Sequence, residues 1–108
     1  MILDTGRLFG IDLDCKRFGT FSTEEIRKAV EDQKANLSGM EFLDANLSGA
    51  NLSGAYLTLA ILSGVNLKLC HLDGANLTGA NLSDADLSGA NLTGANLTRT
   101  NLLGTNFT

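Results

Sequence analysis

The single histidine of this chain, His71, stands two residues from Asp73. An imidazole beside a carboxylate is the start of an acid–base pair. Catalysis would also need a nucleophile held against that pair in a cleft, and Ser and Thr are spread so evenly along the chain that nearness to one carries no information. A lone histidine excludes a multi-histidine metal centre. Asp44, Asp84 and Asp86 are the other carboxylates that could gather, but calcium takes about six to eight oxygens, so three sparse acids read as a solvated face. Gly6-Arg7-Leu8-Phe9-Gly10 carries two glycines without the Lys-Ser or Lys-Thr of a phosphate loop. Cys15 and Cys70 are too few for a disulfide framework, and Cys70 reads as a buried free thiol. The residues therefore point to no enzyme, no cofactor and no metal.

What must position these side chains is a repeat of five. Fifteen consecutive blocks run from Ala35 to Thr108, centred on Leu37, Phe42, Leu47, Leu52, Leu57, Leu62, Leu67, Leu72, Leu77, Leu82, Leu87, Leu92, Leu97, Leu102 and Phe107. A helix would need apolar steps of three and four, and a strand strict alternation. Here a pair two apart, such as Ala45 and Leu47, recurs after five as Ala50 and Leu52. Residues two apart in extended chain share a side, so the chain must turn before the next pair can also point inward. Ser48-Gly49, Ser53-Gly54, Thr78-Gly79 and Thr93-Gly94 supply the turn, because glycine accepts the positive φ of a type II corner. Four corners close a square, about twenty residues make a coil, and the rod is roughly 18 Å long at one inter-strand spacing per coil. The absence of proline suits continuous hydrogen bonding between coils.

Ala45-Asn46-Leu47-Ser48-Gly49, Ala85-Asp86-Leu87-Ser88-Gly89 and Ala90-Asn91-Leu92-Thr93-Gly94 follow A-[DN]-L-[ST]-x, and with them the chain resembles the pentapeptide-repeat proteins over residues 35–108. The resemblance implies an all-β solenoid, a right-handed quadrilateral β-helix of nearly four coils. It also implies one activity found in the quinolone-resistance group, DNA-mimicking modulation of a type II topoisomerase. That group looks like long, dimeric, strongly acidic rods with a carboxyl-terminal dimerising helix. This rod is short, its acids are diluted by Asn, Ser and Thr, and no such helix follows the array. The reading ranked first is a non-enzymatic scaffold or protein-interaction module.

The net charge of −4 is dispersed. Without a basic patch, direct nucleic-acid binding is not expected. No signal-peptide pattern and no membrane-length apolar run occurs, so no membrane association and a cytoplasmic location are expected.

Before the array, residues 21–34 read as a short helix. Ser22 and Glu25 form a capping box, and Phe21 and Ile26 are spaced as a hydrophobic staple. Ile26, Ala29 and Val30 make an apolar stripe, with Glu24, Arg27, Lys28, Glu31 and Asp32 assigned to solvent. So short a helix must dock to persist, and an N-terminal α-helical cap on the first coil is expected. Residues 1–20 read as an irregular, strand-containing segment, because Ile11, Leu13 and Cys15 alternate with Asp12 and Asp14.

Departures from the outward Asn, Ser, Gly pattern bunch in one coil. Stacking blocks by fours places Tyr56, Leu59 and Ile61 around one corner, with Leu43 on the face of Ile61 one coil earlier. Lys68, Leu69 and His71 lie at the opposite corner. These residues form the candidate interaction surface, covered either by the apolar segment 1–20 folding back or, as an interface, by a second copy or an unknown protein partner. The last coil has Thr100 and Thr105 in place of inward Ala, as at a wet end, and could pair with a second copy to give a homodimer through the C-terminal coil.

Overall fold

The computed structural model describes residues 7–8, 11–12, 23–32, 34, 37–42 and 45–108. Strands β1 (Arg7–Leu8) and β2 (Ile11–Asp12) pair antiparallel, Arg7 opposite Asp12 and Leu8 opposite Ile11. Helix α1 spans Thr23–Asp32. From there the chain winds as a four-sided coil whose parallel bridges join residues twenty apart, from Glu41 with Ile61 to Asp86 with Asn106. The capping box, the staple, Cys15, Leu43, Asp44 and the remainder of segment 1–20 lie outside the described residues or side chains.

Five amides per block must be satisfied, and the sequence of a block assigns each one. In block 45–49, the Leu47 N–H donates to the Asn66 carbonyl one coil on, and the Gly49 N–H to that of Lys68, both at 2.8 Å. The Asn66 N–H donates back to the Ala45 carbonyl. The next inward amide, Ala50, closes the corner on the Leu47 carbonyl at 3.0 Å. The fifth, Ser48, donates to the Asn46 side-chain carbonyl at 3.1 Å, an Asx turn. Asn or Asp, where it precedes the inward Leu, is thus the residue that completes the set.

The same registration stacks the interior. Leu47, Leu67 and Leu87 form one ladder and Ala55 with Ala75 another, all buried. We distinguish four faces: the first holds blocks 55–59, 75–79 and 95–99, the second 60–64, 80–84 and 100–104, the third 45–49, 65–69, 85–89 and 105–108, and the fourth 50–54, 70–74 and 90–94. In the last coil Leu92, Leu97 and Leu102 are only partly buried. Thr100 and Thr105 are partly buried there, where the inward Ala of earlier coils is buried. Their hydroxyls donate to the Leu77 and Leu82 carbonyls of the coil below, at 2.8 and 2.7 Å.

Each corner holds its third residue in the left-handed region, and four of these residues are not glycine: Leu59, Leu69, Asp84 and Arg99. Three of them lean over a glycine of the next coil. A Cβ placed on Gly79 would meet Leu59 Cδ2 at 2.8 Å, and one on Gly89 would meet Leu69 Cδ2 at 2.6 Å. Asp84 likewise covers Gly104.

α1 ends at Asp32, short of the expected 34, because the Lys34 carbonyl accepts the Tyr56 N–H at 2.8 Å and belongs to the coil edge. Arg27 and Glu31, assigned to solvent from sequence, bond that edge instead. Arg27 Nη1 donates to the Ser48 carbonyl at 3.0 Å, and Glu31 Oε2 accepts the Asn51 N–H at 2.7 Å. Between them Val30 is fully buried in the core. Lys28 and Asp32 pair on the exposed side at 3.6 Å.

Leu67→Ala, in a closed coil, is expected to cost about 3 kcal/mol, and Leu97→Ala, in the open last coil, about 1 kcal/mol. Chemical denaturation midpoints of the two variants check the gradient along the rod. Gly54→Ala, with free space around the new methyl, is expected to lose about 1 kcal/mol from left-handed backbone strain alone. Gly79→Ala should lose more, and Leu59→Gly in the same chain should remove the excess; a four-member thermal-melt cycle measures that coupling.

Candidate interaction surface

Outward positions are mostly occupied by bracing side chains. Asn76 Oδ1 accepts both the Thr78 N–H at 3.1 Å and the Thr78 hydroxyl at 2.6 Å. Asn91 and Asn96 repeat this pair with Thr93 and Thr98. The Asn column therefore holds backbone rather than offering free amide oxygens. Tyr56, Ile61 and His71 occupy the same structural position, bridged to Asn76, Asn81 and Asn91. None of these three side chains carries a short amide or carboxylate oxygen that can close the Asx turn. Each gives up a brace of the kind that stabilises by about 0.5–1.5 kcal/mol.

Two of those substitutions lie at one corner. Tyr56 on the first face is 54% exposed and Ile61 on the second 38%, and Leu59 between them is 65% exposed. Leu59 also holds φ at 62°, a conformation costing a residue with a side chain about 1–2 kcal/mol where glycine has no such cost. The structure brings together these three sequence-predicted residues. The corner thus combines unfavourable hydration, backbone strain and two missing braces in one place.

The opposite corner is built differently. Leu69 is 66% exposed at φ 59°, but its neighbours are charged or polar. Lys68 Nζ lies 3.6 Å from Asp86 Oδ2, and His71 is exposed. His71 and Asp73 do not join as a bonded acid–base pair. Asp73 Oδ1 accepts the Ser53 hydroxyl at 2.8 Å instead. That bond, then its own amide, holds the Asp73 carboxyl below the usual carboxylate range, with His71 a lesser influence. Asp86 is likewise lowered, first by the Ser88 hydroxyl and then by the Ser88 amide. Leu103, which stands outward where the repeat has Ser or Thr, is well exposed in the last coil. Phe107, expected from the repeat to join the inward ladder, is instead half exposed, because no described coil stacks beyond it.

Among the described residues no group of three or more His, Cys, Asp or Glu is placed to hold a metal ion. No described helix is long and apolar enough to cross a membrane. Cys70 is buried and free, and its thiol donates to the Leu47 carbonyl at 2.9 Å. Burial pushes its pKa up to about 11. Near pH 8 only about one molecule in a thousand then carries the nucleophilic thiolate. In a Cys15→Ser background, alkylation of Cys70 at pH 8 should be slower than that of a free thiol by two orders of magnitude or more until denaturant opens the coil; mass spectrometry over a denaturant series checks it.

Residues 33–64 and 70–108 match the family model for pentapeptide repeats, with eight copies. No curated protein matches the chain. Among solved structures, a pentapeptide repeat protein of the Arabidopsis thaliana thylakoid lumen is 35% identical, covering 63% of this chain and 48% of its own, with a TM-score of 0.62. One from the cyanobacterium Cyanothece 51142 is 38% identical over 64% of this chain and 54% of its own, with a TM-score of 0.49. A third, from Nostoc PCC 7120, is 36% identical over 77% and 70%, with a TM-score of 0.46. The chain spans about half the length of the first two.

Proposed function

The chain belongs to the pentapeptide-repeat family, whose members form right-handed quadrilateral β-helices, and from that premise we propose that it is a non-enzymatic interaction module. It engages a protein partner through the Tyr56–Leu59–Ile61 corner. The observation that carries this reading is the coincidence of three local costs at that corner. Asn at 56 and 61 and Gly at 59 would each fit the repeat better. A sequence that keeps Tyr, Leu and Ile there gives up stability and solubility together, and burial against a partner returns both. Tyr is well suited to such an anchor, since a rigid aromatic ring buries large area at small entropic cost.

The reading as a DNA-mimicking modulator of a type II topoisomerase stands second. It calls for a continuous acidic face. Here Asp86 is paired with Lys68 and Asp73 is engaged by Ser53 on another face.

The triple variant Tyr56→Asn, Leu59→Gly, Ile61→Asn separates function from folding. It restores two braces and relieves one strained residue, so it should be more stable by about 2–5 kcal/mol. Pull-downs from source cells with the original chain and the triple variant, alongside thermal melts, test the proposal. A partner lost by a chain that melts higher places the site at this corner. Retention of every partner by the stabilised variant overturns the assignment.

A further inference from the structure

Along the corner between the first and second faces, one residue of each coil stands at the tip: Gly39, Leu59, Gly79 and Arg99. Bonds between coils keep them in register. The Gly39 N–H donates to the Thr58 carbonyl, the Leu59 N–H to that of Thr78 and the Gly79 N–H to that of Thr98. All four hold the positive φ of a corner tip. The column therefore alternates small and large at about 4.8 Å per coil. Leu59 and Arg99, the large members, are exposed. Tyr56 and Ile61 flank Leu59, and the next coil has the shorter Asn76 and Asn81 in their places.

Charge follows the same line. Glu41 lies beside the corner on the second face, bridged to Ile61 one coil on. Arg99 stands three coil levels from it, roughly 14 Å along the rod. Among the described residues the ion pairs are Arg27–Glu24, Lys28–Asp32 and Lys68–Asp86, and neither Glu41 nor Arg99 belongs to one. The corner is thus acidic at one end, apolar in its middle and basic at the other end.

Such a column is complementary to its own reverse. A twofold axis perpendicular to the rod, midway between the levels of Leu59 and Gly79, generates the fitting copy. The coil of Leu59 then faces the coil of Gly79 in the second copy, and the coil of Gly39 and Glu41 faces that of Arg99. Large tips meet small ones, and each charge meets its opposite. Leu59 leans over Gly79 of its own chain, so both Leu59 side chains reach the axis and pack on one another. A twofold axis along the rod does the reverse. It sets Leu59 level with Leu59, both Glu41 side chains on one level and both Arg99 side chains on another.

We infer that the partner of the Tyr56–Leu59–Ile61 corner is a second copy of this chain, bound antiparallel with Glu41 of each copy against Arg99 of the other. This rests on the reading of that corner as an interface and adds what occupies it. The contact is isologous, so it closes at two copies. It runs along the side of the rod and uses neither end of the stack. A single ridge buries little area, which makes the dimer weak and concentration-dependent.

Sedimentation velocity of the full chain, up to millimolar concentration, tests the pairing, with thermal melts to show that each variant is folded. The wild type should pass from monomer to dimer as concentration rises. Glu41→Arg and Arg99→Glu each set like charges opposite one another, and each should weaken dimerisation at least tenfold. An equimolar mixture of these two variants should regain it, because every junction between unlike copies then joins opposite charges. The chain carrying both substitutions should dimerise as the wild type does. A wild type that stays monomeric overturns the inference, as does a mixture that associates no better than its components. Single reversals that dimerise unchanged also overturn it, since a parallel pair would behave so. The triple variant Tyr56→Asn, Leu59→Gly, Ile61→Asn separates this inference from the reading beneath it. If the triple variant loses a cellular partner while the wild type never self-associates, the corner stands as an interface and the second copy is overturned. Dimers that survive in the triple variant overturn the corner as their site. Should a reversal unfold the chain, Glu41→Gln and Arg99→Gln carry the same measurement; a smaller weakening is then expected, and none overturns the inference.

Discussion

Parallel hydrogen bonding between residues twenty apart is the constraint on which everything else in this molecule rests. It fixes which side chain lies above which, so a choice made in one block is felt in the blocks one coil away. Inside, it stacks Leu on Leu and Ala on Ala, and a chain with no Trp and one Tyr builds a dry core from small, uniform parts. At the corners, it explains why three of the four bulky left-handed residues lean over a glycine: Leu59 over Gly79, Leu69 over Gly89 and Asp84 over Gly104. Two adjacent side chains in one corner column would compete for a single inter-coil gap.

The same constraint turns the outer surface into an account of backbone amides. Four of five per block are taken by the stack and the corner, and the fifth by Asn or Asp. A residue such as Tyr56 or Ile61 is therefore more than an exposed apolar group. It marks a position where local stability has been set aside, a common signature of a surface kept for binding. Polar residues inside obey related bookkeeping. Cys70, Thr100 and Thr105 stand in for Ala, and each donates to a Leu carbonyl of the coil below, so an inward thiol or hydroxyl is tolerated.

Much of the outline was legible because the repeat is short and unbroken. The inward ladder, the square cross-section and the opposition of the Tyr56 and Lys68 corners all follow from counting by five and by twenty. The finer chemistry was not. His71 and Asp73 are two apart and suggested a pair, yet the Ser53 hydroxyl one coil away is the group that holds Asp73. Arg27 and Glu31 looked like the solvent side of an amphipathic helix. Long side chains can reach past the helix surface, and the unpartnered edge groups of Ser48 and Asn51 gave them a reason to do so.

The sequence by itself determined the period, the residues that face inward, the positions of the corners and the departures from the pattern. It could do so because each depends only on steric rules that act within one block: alternation along an extended segment and the positive φ of a tight turn. Only the tertiary structure decided which groups complete one another across twenty residues: Leu59 with Gly79, Ser53 with Asp73, and α1 with the edge of the first coil. Those pairings depend on the side-chain reach and hydrogen-bond direction that coil stacking creates. No local pattern carries that information.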